Sequence, residues 1–365
     1  MSAPLKTFFL LLFTIALSLF GVAHNNHPTF GPKPSSGTTT VLYDGSLGTL
    51  PGSQGFIYIP SPFPGSSIQT ITNSVTTLNT TPVQSDKAGY FVLPNVVPIL
   101  DRAKGYTVSF TSQVISETHS ANDRAGFSVI ALSSDKRGIE IGFWQDKIWA
   151  QEYIAGVGNP HFIHAEEAAY NTSAALTIYD LTILGDAYTL FVGQTSILSG
   201  KLRDYSSFGA PYTTQNFIFL GDDTTSAKAT LKLSDVSATT YNLDPRQVTV
   251  VADSLTASAQ PVTLRQALLN NTSLAPTNLP ITFDPALGLN PTITLTDFIA
   301  LPTNVQILPA STCATSVTLK ATFANVLQLA GNNYLRGLEI LTPTGPAIKL
   351  NGLNNKFECV KVKIS

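Results

Sequence analysis

Nine residues near the C-terminal end, NNYLRGLEI at 332–340, return as NNKFECVKV at 354–362, a shift of 22 positions. Just upstream, VLQLAG at 326–331 returns as AIKLNG at 347–352, a shift of 21. Each copy alternates apolar and polar residues, as a strand with one buried face must. Strand alternation repeated at a period near 22 predicts a parallel β-solenoid, in which each turn stacks on the one before. Such folds present long, flat, repetitive surfaces, which suit polymer ligands and adhesion better than small-molecule chemistry.

The N-terminal residues predict the compartment. Lys6 precedes an uncharged apolar run of 17 residues, Thr7 to Ala23, that ends in Gly21-Val22-Ala23. A positive residue, a hydrophobic stretch and a small-residue cleavage site describe a secretory signal peptide over 1–23. An uncleaved anchor is the other reading, although such a run is short for spanning a bilayer. No second apolar run of that length occurs, so the mature chain is expected to be soluble, not membrane-spanning, and secreted or held at the cell surface.

Charged residues make up 12% of the chain, about half the usual share of soluble domains, and Thr, Ser, Asn, Gly and Pro fill the difference. The net charge is −2 with no basic cluster, so nothing points to a nucleic-acid partner or an anionic membrane surface, and no nucleic-acid partner is expected. The two cysteines, Cys313 and Cys359, either pair in an oxidising compartment and staple neighbouring coils, or stay as free buried thiols. No Cys/His spacing fits zinc.

Residues 24–37 (HNNHPTFGPKPSSG) read as a linker. From 38 to 242 short alternating strands predict an all-β domain, and the periodicity changes after Asn242-Leu243-Asp244-Pro245, so 243–365 forms the second domain. In YDLTILGDAYTLFV (179–192), Gly185-Asp186 is a two-residue hairpin turn. Pairing across it puts Tyr179, Leu181, Ile183, Tyr188, Leu190 and Val192 on one apolar core face. In GIEIGFWQDKIWAQEY (138–153), a turn at Asp146-Lys147 pairs Trp144 with Trp149 and Gly142 with Gln151. Ile139, Ile141, Phe143, Ile148 and Ala150 then share one face, and Glu140, Trp144, Trp149, Gln151 and Tyr153 the other.

That second face mixes acid, amide and aromatic groups. Sugars stack their C–H faces on aromatic planes while their hydroxyls bond to carboxylates and amides. Glu140, Trp144, Trp149, Gln151 and Tyr153 are therefore the candidate glycan-binding set. The plainer reading is that the tryptophans cover the edge of a sandwich and the polar groups face water.

The run ETHSANDRAGFSVIALSSDKRGIEIGFWQDKIWAQE (117–152), with FIHAEE (162–167), LRDYSSFG (202–209) and NFIFLGDDTTSA (216–227), resembles a domain of bacterial secreted proteins of the choice-of-anchor kind. These are concanavalin-like or laminin-G-like jelly rolls. The resemblance spans most of 40–241 and implies a two-sheet antiparallel sandwich in an extracellular setting. It implies no reaction. PVTLRQALLNN (261–271) followed by LPITFDPALGLNPTITLTD (279–297) is similar to the opening of right-handed parallel β-helix proteins of bacterial surfaces, where a short amphipathic helix plugs the coil. Leu264, Ala267 and Leu268 supply the buried stripe of such a helix. Pro280 to Ser365 leaves room for about four turns; the open end pairs with a partner, is guarded by Lys361 and Lys363, or belongs to a truncated version of a longer β-helix protein.

Catalytic patterns are weak. Glu140, Glu166 and Glu167 are available for glycoside hydrolysis, but Glu140 has no evident carboxylate partner and Glu166-Glu167 reads as a solvated turn. On the solenoid Arg336, Glu339, Lys349, Glu358 and Lys361 show no focus for a lyase. No GxSxG, HExxH or P-loop pattern occurs. His119, His161 and His164 lie near acids and read as structural, and Arg124 and Arg203 as partners of buried acids. Asp222-Asp223 after the strand NFIFL is the one candidate metal site, for calcium, and the alternative is an Asp-rich turn bonded to its own backbone. The sequence thus predicts a secreted, non-enzymatic protein that binds a glycan or cell-envelope polymer, with a polysaccharide-active enzyme or a purely structural surface module as alternatives.

Overall fold

A computed structural model describes residues 37–364, apart from 94, 155–160, 258, 310–312, 314–315 and 344. The leader 1–23 and nearly all of the linker lie outside the described residues. The chain is almost entirely β: an antiparallel sandwich followed by a parallel β-solenoid of about three turns.

One sheet of the sandwich has eight strands and runs Thr195–Lys201, Ala187–Val192, Thr177–Leu184, Tyr106–His119, Ala227–Thr240, Val75–Asn79, Ile68–Thr72. Its eighth strand, Thr38–Asp44, lies along the far half of Ala227–Thr240. The other sheet has seven strands in the order His161–Ala169, Lys147–Ile154, Gly138–Phe143, Ser128–Leu132, Phe217–Asp222, Lys87–Val92, Phe56–Ser61. Alternation places one apolar set from each sheet in the space between them. The 179–192 hairpin folds as its pattern predicts: Tyr179 faces Val192, Leu181 faces Leu190 and Ile183 faces Tyr188. Gly185 takes the left-handed φ of 65° that this tight turn demands. Tyr179, Leu181, Ile183, Tyr188 and Leu190 are fully buried in the shared core, and Val192 packs against it.

The 138–153 hairpin is shifted from its predicted register. Gly142 pairs with Trp149, not Gln151, and Trp144 N–H donates to the Lys147 carbonyl, so Gln145-Asp146 forms the turn. A slip of two residues leaves every side chain on its predicted face, because strand alternation has period two. Ile139, Ile141, Phe143, Ile148 and Ala150 point into the core as expected.

After Thr240 the chain turns to parallel pairing, first Gln247–Val248 beside Thr282–Phe283. Helix Leu264–Ser273, capped by Thr263, buries Leu264, Ala267 and Leu268 on the first coil. Three stacked turns follow, closed by one further strand, Lys361–Ile364, rather than the four turns that chain length allowed. The shortfall has a local cause. In the last turns Leu327 lies beside Ile348 and Tyr334 beside Lys356, 21 and 22 positions on, as the repeats predict. In the first turn Thr292 lies beside Thr318 and Ile299 beside Leu327, 26 and 28 positions on. By residue count the extra length falls between Ile307 and Val317, and a disulfide joins Cys313 to Cys359 with Cα atoms 5.7 Å apart. The two units share a packed seam: Leu184 of the sandwich belongs to the solenoid core, and Asp186 N–H donates to Asn270 Oδ1 of the capping helix at 3.1 Å.

Candidate functional site

The outer face of the seven-stranded sheet, opposite the core, carries the mixed set read from the sequence. Two segments lie across it. Residues 202–216 bring Tyr205 and Tyr212 onto Ile130, Leu132, Phe217 and Phe219 as a second apolar cluster. Residues 120–126 form a strap over the tryptophans, with Ala125 packed between Trp144 and Trp149.

The tryptophans are therefore not an open platform. Trp149 is 0% exposed and Trp144 9%. Trp149 stacks on His164 with ring centres 4.4 Å apart, and Trp144 stacks on His119 at 3.9 Å. Close approach of Trp149 needs a residue without a side chain opposite, since a Cβ on Gly142 would lie 2.7 Å from the indole ring. Three successive strap carbonyls are held from the sheet. His164 Nδ1 meets Asn122 O at 2.7 Å, Gln151 Nε2 donates to Asp123 O at 3.2 Å, and Trp144 Nε1 donates to Arg124 O at 2.9 Å. The amide and aromatic groups that suggested sugar contacts bind the protein's own strap. Tyr153 is half-buried, packed edge-on against Phe208 at 5.6 Å, and borders a separate hollow beside Arg203.

Between strap and covering segment a cleft of 390 Å³ remains, lined by Lys87, Arg124, Glu140, Gln151, Phe162, Phe208, Tyr212 and Asp223. Glu140 sits at its floor, 3% exposed. Tyr212 O–H donates to Glu140 Oε2 at 2.5 Å, and Tyr205 O–H donates to Gln151 O at 2.6 Å. Burial, then the neighbouring Asp223 carboxylate, push the Glu140 carboxyl well above the usual range, against the pull of Tyr212, Arg124 and Ser128. Burial likewise raises Asp223, opposed by Arg124. Glu140 thus has the carboxylate neighbour that the sequence did not reveal, supplied from the end of a strand some eighty residues on. A neighbouring like charge disfavours ionisation, which adds to burial in holding the Glu140 carboxyl toward its protonated form. Phe162 stacks on Phe208 at 4.0 Å, and the Arg124 guanidinium lies over Phe162 at 5.0 Å.

Asp222 and Asp223 do not form a calcium site in this geometry. Successive strand residues face opposite ways. Asp223 lines the cleft, whereas the Asp222 carboxylate is buried against Lys228 Nζ at 3.1 Å. That ammonium, 2% exposed, also donates to Asp86 O at 2.6 Å and Thr224 O at 3.0 Å. An internal cation thus fills the place expected for the metal. Asp222 Oδ1 accepts from Thr224 N–H, as the turn alternative expects. Among the described residues, the one grouping of three potential ligand atoms is Cys313, Glu358 and Cys359, whose two sulfurs are bonded to each other. Glu166 and Glu167 lie on strand His161–Ala169 rather than in a solvated turn: Glu166 pairs with Arg203, which also holds Glu152 at 3.0 Å, and Glu167 pairs with Lys147 at 2.8 Å.

No family model and no curated protein matches the chain. Among solved structures, a carbohydrate esterase of the Shiga toxin-encoding bacteriophage phi24B overlaps 56% of this chain and 100% of its own, at 13% identity and a TM-score of 0.40. Alginate lyase A1-II′, of polysaccharide lyase family 7, overlaps 56% and 95% at 12% identity and a TM-score of 0.32. The Emp46p carbohydrate recognition domain overlaps 54% and 95% at 11% identity and 0.34. Overlap this loose bears on neither the chemistry nor the ligand of this chain. No helix among the described residues is long and apolar enough to cross a membrane, which leaves spanning by strands untouched.

Proposed function

We propose that the cleft over Glu140 binds a glycan and that the protein acts outside the cell as a binding or adhesion module of choice-of-anchor type. The leader-like sequence of residues 1–23 supports the extracellular setting. One observation carries the reading: in a single 390 Å³ cleft, Asp223, Arg124 and Lys87 supply hydrogen-bonding and charged groups beside the half-exposed rings of Phe162 and Phe208. That combination suits a ring with hydroxyls on its edge and C–H groups on its faces. Binding is tested on a glycan array followed by calorimetry. Arg124→Ala and Phe208→Ala are expected to abolish the signal, while Ile178→Ala, exposed on the opposite sheet, leaves it intact. Equal affinity in all three variants overturns the assignment.

A second reading, glycosidic-bond hydrolysis, is favoured by two raised acids in one cleft, Glu140 and Asp223. Against it, Glu140 is all but closed to solvent and already engaged by Tyr212. Reducing-end release that disappears in Glu140→Gln and Asp223→Asn would decide for hydrolysis.

A further inference from the structure

A second concavity lies beside the cleft, on the other side of Phe208. This hollow of 360 Å³ is lined by Glu152, Tyr153, Lys201, Arg203, Asp204 and Ser207. Its floor is built. Arg203 is 7% exposed and every nitrogen of its guanidinium is held: Nε donates to Glu152 Oε2 at 3.0 Å, Nη1 to the Lys201 carbonyl at 2.5 Å and Nη2 to Glu166. Around this floor the polar groups face outward. Lys201, Asp204 and Ser207 are exposed, and the Lys201 ammonium makes no ion pair among the described residues. Asp204 Oδ1 accepts from Ser206 N–H at 3.0 Å, and hydrogen bonding from Ser206 holds its carboxyl below the usual range, so it stays an acceptor at neutral pH. An ammonium, two carboxylates, a hydroxyl and a phenol around a fixed guanidinium suit a hydroxyl-rich ligand better than an apolar one.

The two cavities share a wall. Ser207 and Phe208 are neighbours on the 3-10 turn Ser206–Phe208, and Ser207 lines the hollow while Phe208 lines the cleft. The Phe208 ring stacks on Phe162 of the cleft and meets Tyr153 of the hollow edge-on at 5.6 Å. One aromatic ridge thus divides two polar cavities of similar size, 390 and 360 Å³. A single sugar fills one of them and leaves the other to water. A chain of sugars places one unit in each and lays C–H faces on the ridge between.

We propose that the Arg203 hollow is a second glycosyl subsite, so that the protein binds a stretch of linked sugars spanning both cavities rather than a single one. The proposal rests on the glycan reading of the cleft and adds to it the length of the ligand and the residues that hold the second unit. Lys201 and Ser207 serve as donors, Asp204 as acceptor and Tyr153 as part of the ridge.

The test titrates the full chain with cello-, laminari- and chito-oligosaccharides, each from the mono- to the hexasaccharide. Affinity is expected to rise about ten-fold or more at the shortest oligomer that reaches both cavities, and then to level off. The double variant Lys201→Ala with Ser207→Ala should lose about 5–10-fold in oligosaccharide affinity, the value of one or two hydrogen bonds, and bind the monosaccharide as the wild type does. Both side chains are exposed, so its melting temperature should match the wild type. In amide NMR the monosaccharide should shift signals of the cleft alone, and the longer oligomers those of Lys201, Asp204 and Ser207 as well. Equal affinity along a ladder that binds, or a double variant that holds the hexasaccharide as tightly as the wild type, overturns the second subsite and leaves the cleft reading standing. An equal loss for monosaccharide and oligosaccharide puts the first sugar in the hollow and overturns the division between the two cavities. Should no ladder bind at all, the glycan reading falls and the second subsite with it.

Discussion

Replacing Trp149 separates a core role from a ligand platform most cleanly. The side chain is fully buried and makes ring contacts with Trp144 and His164. An indole that removes some 150–250 Å² from water contributes about 4–6 kcal/mol by area, an upper bound, and measured truncations of this kind cost about 3–5 kcal/mol. Trp149→Ala is therefore expected to lose about 3–5 kcal/mol in urea unfolding followed by far-ultraviolet circular dichroism, which does not depend on the indoles themselves. A finer contrast comes from the ring nitrogens. Trp149 Nε1 is buried without a hydrogen-bond partner, whereas Trp144 Nε1 donates to Arg124 O. Trp149→Phe should thus cost less than its lost area implies, since it also removes an unmet donor worth about 1–3 kcal/mol. Trp144→Phe forfeits a made bond, about 1 kcal/mol, and loosens the strap. A loss below about 1 kcal/mol in Trp149→Ala, with glycan affinity abolished, would refute the burial argument and restore the exposed platform.

Chelation by EDTA is expected to leave the melting temperature unchanged, whereas Lys228→Met should cost about 3–5 kcal/mol, because it strands the buried Asp222 carboxylate; melting on chelation would contradict this. Burial pushes the Asp222 carboxyl up to about 7, so the folded chain holds that proton more tightly than the unfolded one. Its contribution is then fully present below about pH 4 and declines as pH rises toward about 7, a slope that urea titrations should find flattened in Asp222→Asn. The Cys313–Cys359 bond closes a loop of 46 residues, worth at most about 4 kcal/mol of chain entropy. A double Cys→Ala variant should show faster amide exchange in 317–364 with the sandwich core unchanged; uniform acceleration across both units would count against a local staple.

What the residues announced in advance was local. Alternation in 179–192 and the Gly185-Asp186 turn were sufficient for register and core face, since both depend on neighbours a few positions apart. The returning NN-x-x-x pattern was enough to align the last coils, because stacked turns repeat the same environment: Asn333 Oδ1 accepts from Val305 N–H, and Asn355 Oδ1 accepts from Asn333 N–H one coil on. Where turn signals were weaker, at Gln145-Asp146, the register slipped by two while the faces survived.

The fate of those faces was not legible. Whether Trp149 meets a sugar or a strap depends on the path of residues 120–126. Whether Asp222 meets calcium or Lys228 depends on a strand that returns beside it. The cleft itself joins Lys87, Arg124, Glu140, Tyr212 and Asp223 from five separate stretches of chain. Periodicity is written between adjacent residues and fixes which side of a strand each one occupies. Burial, charge pairing and the acid pair are set by segments far apart in sequence, and only packing in three dimensions brings them within a few ångströms.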